Sequence, residues 1–287
     1  MTGLSLEKGW WRVVSDRTFD WTASDVLKSR IGRLDLPDEG LGYDRFGLES
    51  SSARLSLDLY HWLYVRYFRT QSFGIEHLPQ RGPYILAPNH TGPFPLEALM
   101  IMVDVLLHGS PPRLVRPLVN RSLSALPYVN IVLSRTGCVW ASRSNMDGLL
   151  NSGQPIMLFP EGPRALAKRL ARRHRTMSFN PAVVELAIKH QVPIVPVGVV
   201  GLSNARGLLP YEGPDVPQPA SVDDEILRLG LSNIVPVPTR VRIQYGAPFL
   251  FHDDSSVQDH TPTLVRSMTD RLQSEVQRLI DDLLAQD

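Results

Sequence analysis

The chain has 287 residues, 43% of them hydrophobic, and 30 Lys and Arg against 29 Asp and Glu leave a formal net charge of +1. Such a chain can bury the core of one α/β domain with extensions, and its near-neutral balance exerts no overall pull on nucleic acid, so any anion site must come from local clustering. The single Cys138 excludes an internal disulfide framework and a cysteine-based metal site, and suits a reducing compartment.

No basic stretch followed by an apolar core and a small-residue cleavage site opens the chain, so no signal peptide is expected. Nowhere do eighteen apolar residues run together, which argues against a spanning helix. Residues 1–54 carry Trp10, Trp11 and Trp21 among charges and then a Gly/Pro/Asp-rich loop from Leu36 to Asp44; they read as an N-terminal extension to a domain over residues 55–287. A helix from about Ala53 to Phe68 gathers Leu55, Leu57, Leu59, Tyr60, Trp62, Leu63, Tyr64, Tyr67 and Phe68 beside Arg54, Arg66 and Arg69. Aromatic rings beside arginines suit a membrane interface, and a core-facing stripe has nearly the same pattern.

Turns at Pro79 and Gly82-Pro83 lead into Tyr84-Ile85-Leu86-Ala87, a short and uniformly apolar run that reads as a buried strand ended by Pro88. Asn89 and His90 sit at its exit. Pro93 and Pro95 keep the next residues out of a helix interior, so Glu97 is expected to open a helix to Leu107, where its charge suits the helix dipole. A strand–loop–helix connection can fold His90 and Glu97 together, and a histidine held by a carboxylate is suited to taking a proton from a hydroxyl.

A strand at Leu114 to Val119 precedes an irregular apolar piece through Leu133. Another short strand follows Gly137, and Arg143 closes the block Gly137 to Arg143; Ser144 or Asn145 is expected to cap a short helix. The next apolar strand, Ile156-Met157-Leu158-Phe159, runs into Pro160-Glu161-Gly162-Pro163-Arg164, a turn with an acid, a glycine and a cation. From Pro163 to Val184 there are six Lys and Arg, including Arg164 and Lys168, and no acid. Such a run can bind a phosphate, attract anionic lipid or lie as a solvated helix face. No aromatic-interleaved sheet or DNA-reading helix accompanies it, so nucleic acid is not expected.

Asn180-Pro181 starts a helix with Val183, Val184, Leu186, Ala187 and Ile188 on its buried side, and a buried strand from Pro193 to Val199 follows. Tyr211 to Glu225 reads as a loop bordering the site, and Arg240 to Tyr245 as a strand. Thr261-Pro262 opens a last helix whose Leu264, Met268, Leu272, Val276, Leu279 and Leu283 recur every three or four residues, the pattern of packing onto a sheet. Strand and helix alternating at short intervals predict an α/β fold, a central mostly parallel sheet flanked by helices, with ligands at the carboxyl ends of the strands.

Four blocks together resemble the glycerolipid acyltransferase superfamily: Asn89-His90 with a following acid, Gly137-Cys138-Val139-Trp140-Ala141-Ser142-Arg143, Phe159-Pro160-Glu161-Gly162-Pro163-Arg164, and Val192 to Val199. They cover roughly residues 60–250 in the family's order, and the third is the most specific. The family pattern places an aspartate after four intervening residues; here six separate His90 from Glu97, and position 95 is proline, so Glu97 stands as the substitute acid.

The resemblance implies a membrane-surface O-acyltransferase of phospholipid biosynthesis, peripheral on the cytoplasmic side of a membrane. It would move a fatty acyl group from acyl-CoA or acyl-carrier protein to a lysophospholipid or related glycerolipid hydroxyl. His90 would be the base and Glu97 its partner, with Asn89, Arg143, Glu161, Gly162, Arg164 and Lys168 at the substrates. The thioester is a co-substrate, and neither a cofactor nor a metal is implied. A neutral or glycolipid acceptor, and a lipid-binding relative that has lost turnover, are the alternatives. Other chemistries lack their motifs. Gly201-Leu202-Ser203-Asn204-Ala205 misses the second glycine of a nucleophile elbow, no P-loop or GxGxxG turn occurs, and the eight histidines lack metal-ligand spacing.

Overall fold

The computed structural model describes residues 25–34, 36, 38–40, 42–90, 96–120, 128–162, 174–202, 238–250 and 261–286. In chain order these form α1 (Asp25–Gly32), α2 (Ser50–Trp62) continued by a π-helical turn (Leu63–Tyr67), β1 (Gln71–Phe73), a 3-10 turn (Ile75–His77) and β2 (Ile85–Pro88). Next come α3 (Leu96–His108), β3 (Arg116–Val119), α4 (Val129–Arg135), β4 (Val139–Trp140), α5 (Arg143–Asn151) and β5 (Ile156–Met157). The remainder is α6 (Ala182–His190), β6 (Ile194–Val200), β7 (Arg242–Tyr245) and α7 (Pro262–Ala285).

The strands make one sheet in the order β1-β7-β6-β2-β5-β3-β4. Only the β6–β7 pairing is antiparallel among these described strands; every other adjacent pair is parallel. Both faces are covered, which is why the central strands read as continuous apolar runs. Every residue of β2 is buried, and successive side chains take opposite faces: Ile85 and Ala87 pack with α5, α6 and α7, whereas Leu86 packs with α1, α2 and α3. β2 lies mid-sheet between β5 and β6, in the register Ile85↔Ile156 and Ile85↔Ile194.

α3 is buried almost all round, from Glu97 through Leu107 except Leu99, because it is wedged between the sheet and the N-terminal helices. α2 and the π-helical turn after it turn one face to the core, as the core-facing reading of their pattern expects. Ala53, Leu57, Tyr60, Tyr64 and Phe68 enter the core, while Leu55, Leu59 and Val65 point outward. On the opposite side of the sheet, α7 starts from a Thr261 cap with Pro262 in its first turn and buries Leu272, Val276, Leu279 and Leu283. It runs so close to β6 that a Cβ on Gly198 would stand 2.8 Å from the Leu279 Cβ.

Several local expectations shift. The stretch expected to be irregular before Leu133 includes α4, a helix, over residues 129–135. α5 begins earlier than expected, because the Ser142 side chain rather than Ser144 or Asn145 accepts the Asn145 N–H and caps it. α1 and the edge strand β1 were not foreseen; α1 buries Leu27 and Ile31 in the core that α3 shares. The loop expected over 211–225 lies outside the described residues.

Candidate active site

β2 ends at Pro88, and its parallel neighbour β5 ends at Met157, so the two strands deliver Asn89-His90 and Phe159-Pro160-Glu161 to the same edge of the sheet. α3 brings the third group. Its first turn carries Glu97, and helical side chains lean toward the N-terminus, so this carboxylate is aimed back toward His90. His90 Nδ1 and Glu97 Oε1 are 2.5 Å apart, with Glu97 only 1% exposed. The lengthened spacing therefore does not separate the pair. An Nδ1–H donated to that carboxylate fixes the ring's orientation and its tautomer.

Asp104 and Asp147, the acids that follow Glu97 in the chain, are committed elsewhere. Asp104, fully buried, accepts the hydroxyls of Tyr64 at 2.6 Å and Tyr245 at 2.7 Å. Burial and this adjacent carboxylate push both tyrosine hydroxyls well above their ordinary pKa. Asp147 accepts from Lys189 at 2.7 Å and lies 2.6 Å from His190 Nε2. These contacts, Lys189 foremost, hold its carboxyl below the ordinary range.

The His90 turn is fastened on two further sides. The Asn89 side chain is buried and mimics a strand residue, donating to Val199 O at 3.0 Å and accepting from Val199 N at 2.7 Å across β6. Glu161, 5% exposed, accepts the His90 backbone N–H at 2.8 Å through Oε1 and the Met177 N–H at 2.7 Å through Oε2. Gly162 follows at φ +65, a left-handed conformation, with open space where a Cβ would stand. The Phe159 ring lies against the His90 ring with centroids 4.7 Å apart. Its chemistry gave no sign of this role; its position just past the strand beside β2 was the available signal.

Arg143 is exposed at the first position of α5, which follows edge strand β4, three places along the sheet from β2. Arg164 and Lys168 lie outside the described residues. Arg175, at the end of the same basic run, faces Asp281 of α7 at 3.9 Å.

Residues 69–200 match the Acyltransferase family model, a span that contains His90, Glu97 and Glu161. An uncharacterized protein of Mycobacterium tuberculosis is 27% identical over 252 residues, covering 84% of this chain and 69% of the relative. One from Mycobacterium leprae is 29% identical over 233 residues, covering 78% of this chain and 62% of that protein. Among solved structures, the 1-acyl-sn-glycerophosphate (LPA) acyltransferase PlsC from Thermotoga maritima superposes with a TM-score of 0.51 over 90% of this chain and 87% of its own, at 18% identity. That likeness is one of fold, a mostly parallel sheet between helices. Taken with the four sequence blocks, the family match over residues 69–200 supports a likeness to the glycerolipid acyltransferase superfamily.

Proposed function

We propose that the chain is an O-acyltransferase working at a membrane surface, with an acyl thioester as donor and a lysophospholipid or related glycerolipid hydroxyl as acceptor. The observation that carries this reading is the 2.5 Å contact between His90 Nδ1 and Glu97 at the carboxyl end of β2, inside the family-matched span. His90 Nε2 takes the acceptor's hydroxyl proton as that oxygen attacks the thioester carbonyl. The tetrahedral intermediate collapses with loss of the C–S bond, and the imidazolium returns the proton to the leaving thiolate. The acyl group passes directly to the acceptor, so no acyl-enzyme is required.

Arg164 and Lys168, with Arg143, are the cations assigned to the acceptor's phosphate, because a charge-assisted contact is the strong way to hold one. Membrane attachment is assigned to the outer face of α2, where exposed Leu55, Leu59 and Val65 stand among Arg54 and Arg66. No helix among the described residues is long and apolar enough to cross a membrane.

The direct test is release of free coenzyme A from acyl-CoA across a panel of lysolipid acceptors, with His90→Ala alongside. The wild type is expected to turn over at least one acceptor. The variant is expected to lose on the order of a hundred- to ten-thousandfold, the usual contribution of a positioned base. Retention of more than about a tenth of wild-type turnover would remove His90 from the chemistry.

A further inference from the structure

We infer that Glu161 is a positioning residue for His90, not a group that binds the acceptor. Its carboxylate is buried at the end of the β5 turn, and each oxygen already receives a backbone N–H: His90 at 2.8 Å on Oε1 and Met177 at 2.7 Å on Oε2. A carboxylate is an acceptor at both oxygens, so it can join two donors from two different segments. Here it ties the turn after β2 to the segment entering α6. Pro160 O, one residue earlier, accepts Asn180 N at 2.8 Å and fastens that same segment a second time.

The consequence for His90 is geometric. Glu97 fixes the ring through Nδ1, Asn89 fixes the residue before it to Val199 on β6, and Glu161 fixes the His90 backbone itself. Three elements thereby determine where Nε2 points. Turn residues without such ties take several conformations, and a base displaced by an ångström loses much of its effectiveness. An amide cannot replace this carboxylate, because the glutamine NH2 would face an N–H at either His90 or Met177 and leave donor against donor.

The inference rests on His90 being the base, and its test separates the two. With the full chain, acyl-CoA and an acceptor from the lysolipid panel, Glu161→Gln is expected to lower kcat by on the order of tenfold or more. KM for the acceptor is expected to stay within about twofold, since no acceptor contact is lost. Combined with Glu97→Gln, the loss is expected to fall short of the product of the single losses, because both act through His90.

Glu161→Asp keeps the charge with a shorter reach and can hold one of the two N–H groups, so an intermediate kcat is expected; this variant decides the matter if Glu161→Gln does not fold. Amide exchange at His90 and Met177, read by NMR without any turnover, is expected to quicken in either variant. A large rise in acceptor KM with kcat unchanged would make Glu161 a binding residue. Unchanged kcat with only a lowered melting temperature, or unchanged amide exchange, would also overturn the inference. None of these outcomes touches the acyltransferase reading, which fails instead if the wild type turns over no acceptor, or His90 as its base, which fails if His90→Ala stays active.

Discussion

Glu97 sits where two accounts of one residue make different predictions. A carboxylate in the first turn of a helix is worth about 0.3–1 kcal/mol through the helix dipole, whatever stands in front of it. A carboxylate 2.5 Å from an imidazole nitrogen also holds the ring and stabilises its charged form. Glu97→Gln keeps the size and loses the charge, so the proposed role predicts that kcat falls at least about tenfold, whereas the dipole alone predicts a slightly lower melting temperature and unchanged turnover. Steady-state kinetics beside a thermal melt distinguish them. The pairing was legible from Pro93 and Pro95, which delay the helix until Glu97 can open it. The ties made by Asn89 and Glu161 were not, because one partner is the backbone of Val199, 110 residues away, and the other two are backbone groups of His90 and Met177. Side-chain patterns carry no trace of a backbone partner. Buried Arg116 was hidden for a related reason: it lies in a strand that reads as apolar, and its counter-ion is Asp44, 72 residues earlier, at 2.6 Å.

At the scale of elements, polar ties of long sequence separation hold the helices to one another. Asp104 links α3 to the π-helical turn after α2 and to β7 through Tyr64 and Tyr245. Asp147 links α5 to the end of α6 through Lys189 and His190. The second tie depends on pH. Because hydrogen bonds from Lys189 and then His190 lower the Asp147 pKa in the folded chain, its stabilisation is fully present above the ordinary value of 3.8 and is lost as pH falls through the lower folded value. Asp147→Asn is therefore expected to lower the melting temperature by roughly 1–3 °C at neutral pH, the scale of a partly exposed ion pair. That gap between variant and wild type should close below pH 3.8 in melts run across the acid range; a gap that persists there would mean the carboxylate's charge is not its source. Elements with strong periodicity, such as α6 and α7, were legible to within a residue or two. β1, α1 and α4 were not, since β1 has three residues, α1 gains its place from tertiary packing, and α4 leaves Ile131 and Val132 exposed instead of showing an inward stripe.

For the whole molecule, the parallel order was legible because strands and helices alternate, and a sheet covered on both faces demands apolar strands without alternation. The antiparallel β6–β7 pairing was beyond that argument, since β7 follows β6 across residues whose composition sets no direction. The proposed membrane contact belongs to this scale because it depends on surfaces from separate elements. α2 presents Leu55, 74% exposed, with Leu59, the π-helical turn after it Val65, and α4 presents Ile131 and Val132 behind its N-cap Tyr128, 80% exposed. The two helices adjoin: Glu49 N bonds to Arg135 O at 3.1 Å, and the Arg135 and Glu49 side chains pair at 3.6 Å. Single exposed leucines need no explanation, but apolar groups on adjoining helices with arginines beside them suit a headgroup boundary. Full burial of a leucine is worth about 1.5–3 kcal/mol, so even half that from two leucines amounts to roughly tenfold or more in partitioning. Leu55→Glu with Leu59→Glu is accordingly expected to cut co-sedimentation with anionic vesicles at least about tenfold, and raising the salt should weaken what binding remains by screening the arginines. Turnover of a short-chain acceptor in solution should be unaffected, because neither leucine enters the core or adjoins His90. Sedimentation unchanged by the double substitution would move the attachment off α2 and leave the acyl-transfer assignment standing on His90 and Glu97.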